Sequence, residues 1–279
     1  MGMKAKTGLI WCFCLLLLSF ATVIIAAEAQ NAFNEGVKFY KIGKYKEAVA
    51  AFSHAIKAAP KSDEAYNNRG LAYFKLGEVD NATKDYAEAT KLNPKLTDAY
   101  FNLGNAHMAR KHYDQAVKDF DEVLKLDPQA PRGYRQRGLA QIALKQYDKA
   151  IQDLNQAQKA DAKDIEIYYN RGLAYRRLGK NELAAQDYSE ALKLDPKNAE
   201  TYNNRANAYF LLGKYDDAVK DYDEAIKLEP KNARIYANRG VIRSRLGKND
   251  DAQKDFKKAI ELDPSLKDKI EPLVMPSKR

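Results

Sequence analysis

Three histidines, two cysteines and a regularly spaced set of side-chain amides are the residues of this chain whose types invite a chemical reading. The histidines are His54, His107 and His112. His107 and His112 stand five apart, so on one helix they would diverge and could not grip a metal as an i,i+4 pair does. Cys12 and Cys14 are the only cysteines. Both lie inside a long apolar run near the start, and if that run is removed no thiol remains for nucleophilic work. No Gly-rich phosphate loop occurs. Catalytic, cofactor and metal chemistry therefore have no residues to carry them, and the chain reads as non-enzymatic.

The amides are different. Asn34, Asn68, Asn102, Gln136, Asn170, Asn204 and Asn238 follow one another at a constant interval of 34 residues. A side-chain amide offers donors and an acceptor together, so it can pair with a peptide N–H and C=O at once. A ladder of amides would hold a main chain without reading its sequence. The alternative is that they serve solubility or helix contacts. One further site type is present: Asn81-Ala82-Thr83 fits the N-glycosylation pattern, although Ala82 is expected to be buried at a helix start.

The interval belongs to the whole frame. Tyr66 recurs as Tyr100, Tyr134, Tyr168, Tyr202 and Tyr236; Gly70 recurs as Gly104, Gly138, Gly172 and Gly240, with Ala206 in the sixth copy. Ala82 recurs through Ala252, and Pro94 as Pro128, Pro196, Pro230 and Pro264. An earlier copy is marked by Gly36, Ala48, Phe52, Ala55 and Pro60. Each copy splits into two amphipathic helices. In the second copy Ser62 is placed to cap a helix over Asp63–Leu76, Gly77 stops it, Asp80 is placed to cap the next helix, and Pro94 bars its continuation. Gly43, Gly179, Gly213 and Gly247 are equivalent stops; the third and fourth copies carry Lys111 and Lys145 there. Gly70 and Ala82 keep the two helices of a hairpin close, while Tyr66, Tyr73 and Tyr86 fill the core.

This pattern resembles the tetratricopeptide repeat (TPR), whose period is 34. The resemblance implies an all-α, right-handed superhelical solenoid of seven helix-turn-helix repeats over residues 30–266, with boundaries near 29, 63, 97, 131, 165, 199 and 233. Residues 267–279 form a C-terminal capping helix and tail, with Ile270 and Leu273 covering the last hydrophobic face. It also implies that the first helix of each repeat lines a concave groove that takes a protein or peptide partner. The amide series then resembles the asparagine ladder in the TPR superhelix of O-linked N-acetylglucosamine transferase, although no transferase domain follows here. Phe33, Tyr40, Phe74, Phe101, Met108, Ile142, Tyr169 and Phe210 would give the groove apolar contacts. Arg132, Arg135, Arg176 and Arg177 make it basic in the fourth and fifth repeats, and Glu64, Asp98, Glu166 and Glu200 edge it with acid. The chaperone-type carboxylate clamp is absent, because Phe33, Asn67 and Phe101 occupy its lysine positions. The arginine of the recurring Asn-Arg-Gly triplets (Arg69, Arg171, Arg239) is expected to pack its stem between helices. Asp80/Lys84, Asp114/Lys118, Asp216/Lys220 and Asp250/Lys254 are expected as i,i+4 pairs on the outer helices.

Composition sets the remaining bounds. The chain has 279 residues, 30% charged and 45% hydrophobic, with a formal charge of +9. The mixed charge of the groove argues against nucleic acid, whose footprint is clustered Lys and Arg. Lys4 and Lys6 precede an apolar run over Leu9–Ala27, and Ala27-Glu28-Ala29 follows as a small-x-small site. Residues 1–29 thus read as a secretory signal peptide cut after Ala29, which makes the mature chain periplasmic or secreted. The run is also long enough to span a bilayer, and the alternative is an uncleaved tether through residues 9–27. On either reading the chain is an exported or tethered interaction scaffold, or else an accessory subunit of a cell-envelope assembly that uses its outer surface. Its oligomeric state is not specified.

Overall fold

The computed structural model describes residues 23–274. The apolar segment before residue 23 and the tail after Val274 lie outside the described residues. The described chain is helical, with no strand among its residues: α1 (23–41), α2 (Tyr45–Ala58), α3 (Asp63–Lys75), α4 (Val79–Leu92), α5 (Thr97–Ala109), α6 (Tyr113–Leu126), α7 (Pro131–Ala143), α8 (Tyr147–Ala160), α9 (Ile165–Arg177), α10 (Asn181–Leu194), α11 (Ala199–Leu211), α12 (Tyr215–Leu228), α13 (Ala233–Arg245) and α14 (Asn249–Leu262). A 3₁₀ turn over Pro264–Leu266 leads into α15 (Lys267–Val274). Two compact units divide at the Ala140–Gln141 peptide, within α7 of the fourth repeat.

Odd-numbered helices open each repeat and even-numbered ones close it. The turn between them needs a residue in the left-handed region. Gly77 fills it at φ 78°, where a glycine has no Cβ to clash. In the third and fourth repeats Lys111 and Lys145 take the same conformation at φ 60° and 61° and carry its strain. Ser62 caps α3 as expected, accepting from Ala65 N at 3.2 Å. Asp80 does not cap α4, because the helix begins one residue earlier, at Val79; Asp80 sits in its first turn and pairs with Arg110 at 3.1 Å.

The core of a repeat is an aromatic ring pressed on a bare backbone. A Cβ added to Gly70 would meet the Tyr86 ring at 2.7 Å, and Gly36, Gly104, Gly172 and Gly240 face Phe52, Phe120, Tyr188 and Phe256 in the same way. Ala82 and Ala89 are fully buried on α4, which packs between α3 and α5. At the C-terminal end Ile270 is buried against Ala252, Phe256 and Ala259, as a cap requires. On the outer helices the ion pairs form one residue closer than expected: Lys220 meets Asp217 and Lys254 meets Asp251, both i,i+3 and both at 3.4 Å. Both are surface pairs and contribute little.

Candidate functional site

The opening helices of successive repeats touch: α3 meets α5 in the first unit, and α9 meets α11 in the second. The amide series lies on these helices, and the structure shows how its hydrogen-bonding capacity is divided. In the first unit Asn34 is exposed and accepts from Gln30 at 3.0 Å, while Asn68 Nδ2 donates to the Glu64 carbonyl at 2.8 Å. Asn102 Nδ2 donates to Oδ1 of buried Asn67 at 2.9 Å. Gln136 is half-buried on α7.

In the second unit Asn170 Nδ2 donates to the Glu166 carbonyl at 2.7 Å. Asn204 Nδ2 donates to the Tyr169 hydroxyl at 3.0 Å, and that hydroxyl in turn donates to Glu200 Oε1 at 2.6 Å. Burial and the Glu200 carboxylate both push the Tyr169 pKa up, so it stays a donor. Asn238 Nδ2 donates to Asn203 Oδ1 at 3.3 Å. Asn102, Asn204 and Asn238 therefore reach back to the residue one position earlier in the preceding repeat, and each keeps Oδ1 and a second N–H. Asn68 and Asn170 reach back one turn of their own helix.

The four arginines assigned to the groove divide by unit. Arg132 pairs with Asp98 and lies over the Phe101 ring at 4.7 Å, so its charge is answered from the neighbouring helix. Arg135 is half-buried on α7. In the second unit Arg177 is exposed, whereas Arg176 is half-buried and turned toward the Tyr188 and Tyr222 rings, whose hydroxyls feel its charge.

A second periodic system is larger than sequence reading allowed. Arg69 Nε and Nη2 donate to the two carboxylate oxygens of Asp85 at 2.8 and 2.7 Å, and Nη1 reaches Ser53 at 3.1 Å. The same fork recurs in Arg171–Asp187, Arg205–Asp221 and Arg239–Asp255, with Asn155, Ser189 and Asp223 as the further partners. Each arginine thus joins its own closing helix, sixteen residues ahead, to the closing helix sixteen residues behind. The expectation placed the stem between helices; in the structure it is the head group that makes the contacts, with the Arg69 guanidinium also lying 5.5 Å from the Tyr66 ring centre. The signal that could have found it is the run Asp85, Asp119, Asp153, Asp187, Asp221 and Asp255, which repeats at the same interval as the arginines.

The third repeat lacks the arginine. Leu103 stands in its place, Ala87 replaces the rear partner, and half-buried Asp119 is met by His107 Nδ1 at 2.6 Å. Burial raises the Asp119 pKa, and the histidine opposes that rise. His107 and His112 do not diverge along one helix. α5 ends at Ala109, and the turn at Arg110–Lys111 brings His112 back until the rings stand 6.2 Å apart. Among the described residues no group of three or more His, Cys, Asp or Glu side chains converges as a metal site.

Residues 26–271 match the family model described as the C-terminal domain of cilia and flagella-associated protein 70, a TPR model. No curated protein sequence matches the chain. Solved structures share its fold. The C-terminal part of a TPR repeat-containing protein from Cytophaga hutchinsonii is 21% identical, with a TM-score of 0.71 over 87% of this chain and 100% of that one. A tetratricopeptide repeat protein from Parabacteroides merdae is 21% identical, with a TM-score of 0.65 over 89% of this chain and 98% of that one. YrrB, described as a TPR protein with an unusual peptide-binding site, is 22% identical, with a TM-score of 0.58 over 64% of this chain and 93% of its own.

Proposed function

The chain belongs to the tetratricopeptide repeat family, in the branch of the cilia and flagella-associated protein 70 C-terminal domain, and from that premise we propose that it is a non-enzymatic interaction scaffold holding an extended segment of a partner protein along its opening helices. The observation that carries the proposal is the amide series. Asn102, Asn204 and Asn238 each spend one N–H on the preceding repeat, which fixes the side chain, and keep Oδ1 and one N–H for a ligand main chain. A fixed amide loses little entropy on binding. The structural neighbour described as having a peptide-binding site supports the same use of the fold.

Replacing Asn102, Asn170 and Asn204 by Ala together tests the reading. Partner capture should be lost while the helical circular dichroism spectrum is kept, because each change removes a net ~0.5–1.5 kcal/mol hydrogen bond. Capture that survives with unchanged affinity would sink it.

Export or membrane attachment through the first residues belongs to the same proposal. Helix α1 runs without a break from residue 23 to 41, across the expected cut after Ala29, and Ala29 itself is buried. Val23, Ile24 and Ile25 precede it as exposed apolar residues. This continuity supports the tethered alternative, in which the apolar segment is kept. Among the described residues no helix is long and apolar enough to cross a membrane. Trp11, the only tryptophan, decides the matter: its emission from protein purified out of its native envelope marks retention, and tyrosine-only emission marks cleavage.

A further inference from the structure

The fifth repeat breaks the chemistry of its neighbours at one position. The site occupied by Tyr40, Phe74, Met108, Ile142 and Phe210 in the first four and the sixth repeats, and by Ser244 in the seventh, holds Arg176 in this one. The side chain is half-buried, and its Nε is buried with no hydrogen-bond partner. The Tyr188 hydroxyl, on a fully buried side chain, makes no close hydrogen bond either, and the Arg176 head group is the cation nearest to answering it. The equivalent Tyr222 hydroxyl donates to Asn207 at 2.8 Å, but Leu173 stands where that asparagine would be in the fifth repeat.

A half-buried guanidinium whose buried Nε–H meets no acceptor is costly, and elsewhere the fold avoids that cost. Arg171, one turn earlier on the same helix, has Asp187 on both prongs of its fork. Arg69, Arg205 and Arg239 have Asp85, Asp221 and Asp255. The acid on the adjacent α11, Glu200, is spent on the Tyr169 hydroxyl at 2.6 Å. Arg177 adds a second, exposed cation next to Arg176.

We infer that Arg176 is the socket for a carboxylate of the bound segment, so that the partner is an acidic peptide with an Asp or Glu side chain at the fifth repeat. The inference rests on the peptide-binding reading above and adds a charge preference to it. The amides grip main chain regardless of sequence. Arg176, with the Tyr188 hydroxyl beside it and Arg177 at the rim, supplies one sequence-dependent contact and sets the register of the segment.

The test uses the full chain. Short linear peptides are selected from a display library on the immobilised protein, and the best is measured by fluorescence anisotropy against wild type and Arg176→Met. Met fits a position that already holds Met108. The selected peptide should carry an acidic residue whose change to Gln weakens binding about tenfold in wild type and less than about twofold in the variant. The melting temperature of Arg176→Met should be equal to or above that of wild type, because a buried N–H without a partner has gone. A lower melting temperature would show that Arg176 already has a partner within the chain and would overturn the inference. Peptides without acid that bind both proteins alike would overturn it while leaving the amide reading standing. Failure to select any peptide would remove both.

Discussion

Cutting one arm of the arginine fork in the fifth repeat is a sharp test of what holds the closing helices together. Arg171 and Asp187 are almost fully buried, with side-chain exposures of 10% and 8%, and their two hydrogen bonds are 2.8 and 2.7 Å long. Asp187→Ala leaves the guanidinium buried with only Asn155 and Gln158 as neutral acceptors. Removing one member of such a pair costs about 3–5 kcal/mol, and the surviving acceptors place this case near the lower end. Arg171→Leu leaves a buried carboxylate instead and should cost about as much at neutral pH. That second loss should shrink as pH falls. Burial already holds the Asp187 pKa above its ordinary value, Arg171 opposes that rise, and without the arginine the folded state binds the proton more tightly still. Arg171→Leu with Asp187→Ala removes both charges, as Leu103 removes one in the third repeat, and should cost less than about 2 kcal/mol. The coupling between the two sites is therefore ~4 kcal/mol or more. Urea unfolding followed by circular dichroism at 222 nm measures all four proteins. A single-mutant loss below about 1 kcal/mol, or a double mutant worse than either single, would refute the view that the fork is a buried, mutually dependent pair.

Other outcomes follow from the same packing. Tyr188→Phe should stabilise by about 1 kcal/mol, because it deletes a buried hydroxyl that has no partner, whereas Tyr222→Phe should destabilise by a similar amount through loss of its bond to Asn207. Burial pushes the Tyr188 pKa up to about 12 and those of Tyr86 and Tyr222 higher, so the folded state holds these protons after the unfolded state has lost them; stability should fall as pH rises above about 10, with tyrosinate absorbance appearing in step with unfolding. Ala150→Leu overpacks a fully buried site in the fourth repeat, the repeat within which the two compact units divide, and should split urea unfolding into two transitions; one sharp, merely shifted transition would count against it. Lys111→Gly should gain about 1 kcal/mol by relieving a non-glycine residue at φ 60°, as read from the urea midpoint.

The helices and their ends were legible because they depend on local spacing. The 34-residue frame, the apolar period within it, Ser62 before α3 and Gly77 after it specify two helices and a stop without reference to anything distant. Repetition then supplies the neighbours, since every unit meets a near copy of itself. Fine placement at helix starts was less legible. Asp80 was assigned a capping role two residues too late, since the cap is Glu78, and two of the four expected Asp–Lys pairs gave way to i,i+3 pairs, because either arrangement is nearly free on a solvated surface.

What the sequence determined by itself is therefore the repeat, its small residues and core aromatics, and the row of amides on the opening helices. Tertiary structure alone decided which polar groups are already used. The arginines and aspartates were both visible as periodic residues, but their pairing spans sixteen residues and two helices. The return of His112 toward His107 depended on where α5 ends. The isolation of Arg176 likewise needed the positions of Tyr188, Leu173 and Glu200 together. A periodic pattern says which residues share a face. Whether a buried charge on that face is answered depends on side chains from other helices arriving within about 3 Å, and only the packed fold fixes that distance.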